Sequence, residues 1–178
     1  MNPQEVLTFW FKETSPAQKF QKDASFDQVI KDRFEATLIA AVKDELASWR
    51  KDIYGRLAEI IVLDQFSRNI YRDSPKAFSQ DAKALDLAAA ALQLNHQALN
   101  VEEKQFLYMP FMHSESLESH EIATKLFSQP GLEDVLKFEV AHKKIIQRFG
   151  RYPHRNQILG RASTPEEIEF LKQENSSF

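Results

Sequence analysis

The chain has 178 residues, of which 43% are hydrophobic and 28% are charged, and its formal net charge at pH 7 is −3. This length and composition predict one folded domain, residues 1–178, rather than a disordered chain. The charge is too small to indicate a partner by itself. The absence of cysteine excludes disulfides, thiolate metal ligands and a cysteine nucleophile.

The N-terminus has no basic segment ahead of an apolar run, as a secretory signal would. No apolar run approaches the roughly 18 residues that span a bilayer. We therefore expect a soluble, cytoplasmic protein without a membrane partner.

Hydrophobic periodicity predicts an all-α fold of about eight helices. The clearest amphipathic stripe runs from Phe26 to Trp49, with apolar residues recurring at nearly every fourth position. The predicted helices are a short one from Pro3, Phe26–Trp49, 53–71, Phe78–Leu94, Val101–Met112, Leu117–Phe127, Leu132–Phe149 and a short one from a capping box at 163–166 to about Gln173. Segments 14–23 and 151–160 are predicted to be irregular. Short turns between the helices imply stacked antiparallel pairs.

The third predicted helix is apolar on nearly every side but carries Asp64, Gln65, Arg68 and Asn69. Asp64 and Arg68 are four residues apart, so they share a helix face and can form an ion pair. Since an unpaired buried charge costs several kcal/mol, both groups require partners. They belong either to an internal network that fixes helix packing or to the lining of a polar pocket.

Two further stretches have opposite charge. Between Glu139 and Glu166 there is no acidic residue, and three arginines with His154 and Asn156 fall in residues 148–156. Arginine binds carboxylates and phosphates through paired N–H groups. Residues 113–121 are instead acidic, with His113 and Glu115 at their start. The two stretches could neutralise each other across the fold, or the basic one could bind a small anion. Nucleic acid is disfavoured because the whole chain is slightly acidic.

Several sequence blocks resemble the bacterial family of unknown function 924 (DUF924). They are VLTFWF (6–11), LDQFSRNIYR (63–72), PFMHSE (110–115), RFGRYPHRN (148–156), LGR (159–161) and STPEE (163–167). The resemblance spans nearly the whole chain and implies an all-helical fold like that of tetratricopeptide repeat proteins. It implies no activity and assigns no catalytic residue. Its blocks contain the polar residues Asp64, Gln65, Arg68, Asn69, His113, Glu115, His154, Arg155 and Asn156.

Two functions remain open at this point. The first is a pocket for a small anionic metabolite, with candidate ligand-binding residues Asp64, Gln65, Arg68, Asn69, His113, Glu115, Arg151, His154, Arg155 and Asn156. His113 and His154 are then the candidate proton carriers, since histidine titrates near neutral pH, and Glu115 is a candidate carboxylate. We predict no metal and no cofactor. The second function is a helical-repeat module that binds a peptide or protein and uses the polar blocks as structural networks. The sequence predicts no oligomeric state.

Overall fold

The computed structural model describes residues 2–177, and within that range every regular element is helical. The α-helices are α1 (Pro3–Thr8), α2 (Pro16–Phe20), α3 (Ala24–Val42), α4 (Ile53–Ile61), α5 (Ser67–Ile70), α6 (Asp81–Ala91), α7 (Val101–His113), α8 (Leu117–Phe127), α9 (Glu133–Phe149), α10 (Asn156–Leu159) and α11 (Pro165–Phe170). The all-α class is confirmed, whereas the tetratricopeptide-like repeat stays a prediction.

Short helical turns of other types join or extend these helices. A π-helical turn, Phe9–Glu13, extends α1, and a second one, Val62–Phe66, joins α4 to α5 in one continuous helix. The 3-10 turns are Ala47–Lys51, Pro75–Phe78, His96–Ala98 and Pro153–Arg155. In the described range, no helix is long and apolar enough to cross a membrane.

The continuous helix from α4 to α5 lies at the centre of the core. Leu57, Ile60, Leu63 and Phe66 on it are fully buried. Helices α1, α3, α6 and α7 pack around it. The aromatic rings of Trp10 and Phe66 meet edge to face, with 5.6 Å between centroids. This position explains why the polar side chains of the same helix are removed from water.

The predicted helix Phe26–Trp49 is too long. Its α-helical part ends at Val42, because Asp44 adopts a left-handed conformation with φ of 61°. Leu46 and Trp49 are nevertheless buried, so the apolar spacing continues beyond the end of the helix. Residue spacing alone could not separate the two parts.

Other predicted boundaries also change. Two segments predicted to be irregular contain short helices, α2 and α10. The helix predicted from Phe78 begins at Asp81, after the 3-10 turn Pro75–Phe78. The capping box before α11 uses Thr164 and Glu167, one residue later than predicted.

Helices α6 to α9 pack against one another in chain order. Only residues 114–116 connect α7 to α8, which holds the end of α7 beside the start of α8. After α9, Tyr152 packs with Ile145 and Ile146 in a small second apolar cluster. This cluster fixes the segment after α9 against α9. The carbonyl of Met112 then accepts a hydrogen bond of 2.5 Å from the Tyr152 hydroxyl, which ties the same segment to α7.

Candidate functional site

Asp64 lies in the π-helical turn Val62–Phe66 and is fully buried. Such turns interrupt α-helices rarely and often at functional sites. The Asp64 carboxylate accepts hydrogen bonds from His113 Nδ1 at 2.7 Å, Arg68 Nη1 at 3.1 Å and Gln65 Nε2 at 2.5 Å. The expected pair of Asp64 with Arg68 is therefore present, and the two are joined to the end of α7.

A second carboxylate extends this network. Asp81, in the first turn of α6, accepts from Arg68 Nη1 at 2.8 Å and Nη2 at 3.0 Å. Arg155 Nη1 donates to the same carboxylate at 3.1 Å, and Arg155 Nη2 donates to the backbone carbonyl of His113 at 2.9 Å. Asp81 thus separates two like-charged guanidinium groups.

Glu115 connects the acidic stretch to the basic one. Its carboxylate accepts two hydrogen bonds from Arg161, at 2.7 and 2.9 Å, and one from the backbone N–H of Tyr152 at 2.7 Å. Arg161 also donates to the carbonyl of Tyr152 at 3.0 Å. The acidic and basic stretches therefore do meet, and they neutralise each other at this point.

These groups border a cleft of about 400 Å³. Its lining residues are Pro75, Phe78, Ser79, Asp81, Ala82, Leu85, His113, Ser114, Glu115, Arg155 and Leu159. Its apolar lining comes from the turn before α6, from Ala82 and Leu85 of α6 and from Leu159 at the end of α10. Its polar lining is the imidazole of His113, the carboxylates of Asp81 and Glu115, the hydroxyls of Ser79 and Ser114 and the guanidinium of Arg155. The volume and this mixture are typical of sites for small molecules.

Ionisation follows from the burial and pairing of each group. Burial alone would raise the pKa of Asp64, but the charges of His113 and Arg68 outweigh it and lower that pKa to about 2. Burial, followed by the nearby Arg68 charge, lowers the pKa of His113 below its usual 6.5, although Asp64 opposes the shift. At neutral pH the pair is therefore a carboxylate and a neutral imidazole.

Burial and the neighbouring Arg68 also lower the pKa of Arg155. A guanidinium nevertheless remains charged in proteins. Its plane lies over the ring of Phe78, with 4.5 Å from the guanidinium carbon to the ring centroid. The cleft therefore keeps one buried positive charge against its apolar side.

A fully buried polar group lies behind the cleft. His120 Nδ1 is 2.8 Å from a carboxylate oxygen of Glu139, and its Nε2 is 2.9 Å from the carbonyl of Ser114. The Tyr152 hydroxyl is 3.1 Å from the same Nε2. Burial raises the pKa of Glu139, against the effect of His120. Because Ser114 lines the cleft, this group holds part of the cleft wall in place.

The structure brings some of the predicted residues together at the cleft and leaves others apart. Asp64, Arg68, His113, Glu115 and Arg155 form the contacts described above. Asn69 bonds Asp27 on another side of the helix, Arg151 pairs with Glu167, Asn156 bonds Ser163 and Glu167, Gln65 lies behind Asp64, and the ring of His154 lies 5.5 Å from that of Tyr152.

The sequence interpretation missed Asp81 and Phe78. Asp81 is an acidic residue in the first turn of a helix, where it needs no explanation beyond the helix dipole. Phe78 is one of fourteen phenylalanines. Nothing in the sequence around either residue distinguishes it from a residue with no role in a site. Across residues 2–177, no group of three or more His, Asp or Glu side chains is arranged to hold a metal ion.

The sequence model of the family described as "Bacterial protein of unknown function (DUF924)" matches residues 6–175. The chain belongs to this family. A solved structure described as that of a protein of unknown function, ATU0120, from Agrobacterium tumefaciens is 36% identical and superposes with a TM-score of 0.91 over 96% of each chain. Among curated proteins, none matches this DUF924 chain. The fold thus recurs in this relative, and neither comparison names an activity.

Proposed function

We propose that the cleft of this DUF924 protein binds a small anionic metabolite with an apolar part. The observation that carries the proposal is Arg155, which lines the cleft and is only 6% exposed. Of the five N–H donors of an arginine, it uses two on the described residues, one to Asp81 and one to the carbonyl of His113. Its buried Nε has no hydrogen-bond partner there. Spare donors on a buried cation favour an anion.

Three carboxylates meet three arginines around the cleft, so these charges balance. They are Asp64, Asp81 and Glu115 with Arg68, Arg155 and Arg161. The preference for an anion therefore rests on the unused N–H donors of Arg155. Phe78 and the neighbouring apolar side chains then cover the rest of a bound molecule. The bound molecule would place a carboxylate or phosphate at Arg155 and a short hydrocarbon part against the apolar lining of the cleft.

The test uses a substitution that fills the cleft without removing any charged group. Ala82 is an exposed residue of α6 that lines the cleft. Ala82→Trp would therefore occupy the cleft while leaving the fold intact. The matched control is Ala89→Trp, at an exposed position of the same helix that does not line the cleft.

The measurement is the melting temperature in the presence of inorganic phosphate and of straight-chain mono- and dicarboxylates, including valerate and glutarate. At a ligand concentration of about 100 Kd, binding adds about 2.7 kcal/mol, or roughly 5–10 °C for a domain of this size. We expect at least one carboxylate or phosphate to raise the melting temperature of the unmodified chain and of Ala89→Trp, but not of Ala82→Trp. If no probe raises it, or if all three proteins respond equally, the proposal is wrong.

A further inference from the structure

The two nitrogens of the His113 ring have different environments. Nδ1 lies 2.7 Å from the buried carboxylate of Asp64. Nε2 forms no hydrogen bond with any described residue, and it is not among the side-chain atoms that are buried without a partner. Because His113 lines the cleft and its Nδ1 is bonded to Asp64, Nε2 is the ring nitrogen left for a bound molecule.

The network fixes which nitrogen carries the proton. An ionised carboxylate only accepts hydrogen bonds, so Asp64 requires the proton of a neutral His113 to lie on Nδ1. Arg68 and Gln65 hold the carboxylate from other directions, and Arg155 holds the backbone carbonyl of His113. The lone pair of Nε2 is then free on the cleft side. This is the arrangement of a general base and of the group that orients it.

The cleft contains no preformed nucleophile on a side chain. The chain has no cysteine. The Ser79 hydroxyl donates to the carbonyl of Lys76, and the Ser114 hydroxyl accepts from the N–H of Ser116. Among the described residues, neither serine is hydrogen-bonded to His113. Water is therefore the nucleophile that this base can activate.

We propose that the cleft hydrolyses small carboxylic esters that carry a second, free carboxylate, with His113 as general base and Asp64 as its positioning residue. This activity rests on the proposed function, because the same cleft must first bind the anion. Arg155 then holds the free carboxylate, and the apolar wall around Phe78 and Leu159 covers the hydrocarbon part. The Ser114 hydroxyl lines the cleft and donates to no described residue, so its proton is available to the ester carbonyl oxygen.

The reaction balances with water as the only co-substrate. His113 Nε2 takes a proton from water while the water oxygen forms a bond to the ester carbonyl carbon, and the carbonyl electron pair moves to its oxygen. When that pair returns, the bond between carbon and the alcohol oxygen breaks. The alcohol oxygen takes the proton from Nε2, which leaves the acid, the alcohol and neutral His113.

The experiment compares two esters of equal acyl length, mono-p-nitrophenyl glutarate and p-nitrophenyl valerate, by release of p-nitrophenol. We expect kcat/KM to be at least about tenfold higher for the glutarate ester, which corresponds to about 1.4 kcal/mol from its free carboxylate. His113→Gln keeps an amide within reach of Asp64 but removes the base. It should lower kcat/KM by about 100-fold or more. Ala82→Trp should also abolish turnover, and Ala89→Trp should leave it unchanged.

The pH profile tests the role of Asp64. The charged and titratable groups around the imidazole are Asp64, Arg68, Asp81, Glu115, Arg155 and His142. Hydrolysis should increase with pH as His113 loses its proton and then level off, and His113→Gln should lack this step. Because the negative charge of Asp64 favours protonated His113, Asp64→Asn should shift the midpoint of the step to lower pH. A purely structural Asp64 would lower the amount of active protein without moving the midpoint.

Two results would overturn the assignment. The first is that the unmodified chain hydrolyses the glutarate ester no faster than His113→Gln does. The second is that kcat/KM is equal for the two esters. Failure of the underlying binding proposal is recognised separately. If glutarate stabilises the unmodified chain and not Ala82→Trp, yet no ester is cleaved, binding stands and hydrolysis is wrong. If none of the anionic probes stabilises the unmodified chain and the glutarate ester is not turned over, both are wrong.

Discussion

Arg155 belongs both to the cleft and to the fold, so its removal does not separate binding from stability. It is 6% exposed and bonds the Asp81 carboxylate and the carbonyl of His113. Arg155→Ala should lower the free energy of unfolding by about 3 kcal/mol with no ligand present, because removing one partner of a buried ion pair leaves the other without compensation. Urea unfolding measures this value.

The control is Arg148→Ala. Arg148 pairs with Glu166, and their side chains are 47% and 63% exposed. An exposed pair of this kind contributes less than about 1 kcal/mol. Equal losses for Arg148→Ala and Arg155→Ala would show that Arg155 is not held as tightly as its contacts indicate.

His142 makes the fold sensitive to acid. Burial lowers the pKa of His142 to about 3. As pH falls below 6.5, the unfolded chain takes up a proton that the folded chain resists, so each pH unit removes about 1.4 kcal/mol of stability. This loss covers the range from about pH 6.5 down to the folded value. His142→Gln should therefore lose about 2 kcal/mol less than the unmodified chain between about pH 7 and about pH 5.

Denaturant unfolding at the two pH values measures the difference. Asp64, whose pKa is lowered to about 2, acts at lower pH, since the stability from its carboxylate is present above about pH 4 and is lost as pH falls towards 2. Of these two contributions, only that of His142 changes between about pH 7 and about pH 5. An identical loss of stability in His142→Gln would contradict the buried neutral state of His142.

At the scale of elements, the start of α4 depends on a close backbone approach. A Cβ atom added to Gly55 would lie 1.9 Å from the backbone oxygen of Trp49. Gly55→Ala should therefore lower stability by about 3 kcal/mol, the upper end of the usual cost of overpacking, because backbone must move. Gly150→Ala is the control. A Cβ atom added to Gly150 would have no other atom within 4 Å. The substitution then costs only the strain of a non-glycine residue at φ of 68°, about 1 kcal/mol. Thermal unfolding distinguishes the two.

The elements show which parts of the fold the sequence can predict. Helices α8 and α9 agree with the prediction: α8 has the expected bounds, α9 begins one residue after the expected Leu132, and Gly150 ends α9 as expected. The π-helical turn at Asp64 could not be predicted, because it adds one residue to a turn without changing the apolar composition of the helix. Short helices such as α10 carry too few residues to show a period.

At the scale of the whole molecule, the sequence indicated which residue types need partners but not which partners they have. Asp64 and Arg68 share a helix, so their pairing could be derived from spacing alone. The contacts of Asp64 with His113 and of Asp81 with Arg155 join residues 49 and 74 positions apart. Such contacts follow from how α6, α7 and the segment after α9 pack, and local pattern does not encode that packing.

Arg155 and Arg161 are made after every other charged residue of the cleft during synthesis. Until both have left the ribosome, Asp81 lacks the guanidinium of Arg155 and Glu115 lacks that of Arg161. A nascent chain that stops before them would have to leave these acids in water instead of closing the wall around His113. The site is therefore completed only after the core helix beneath it has been made.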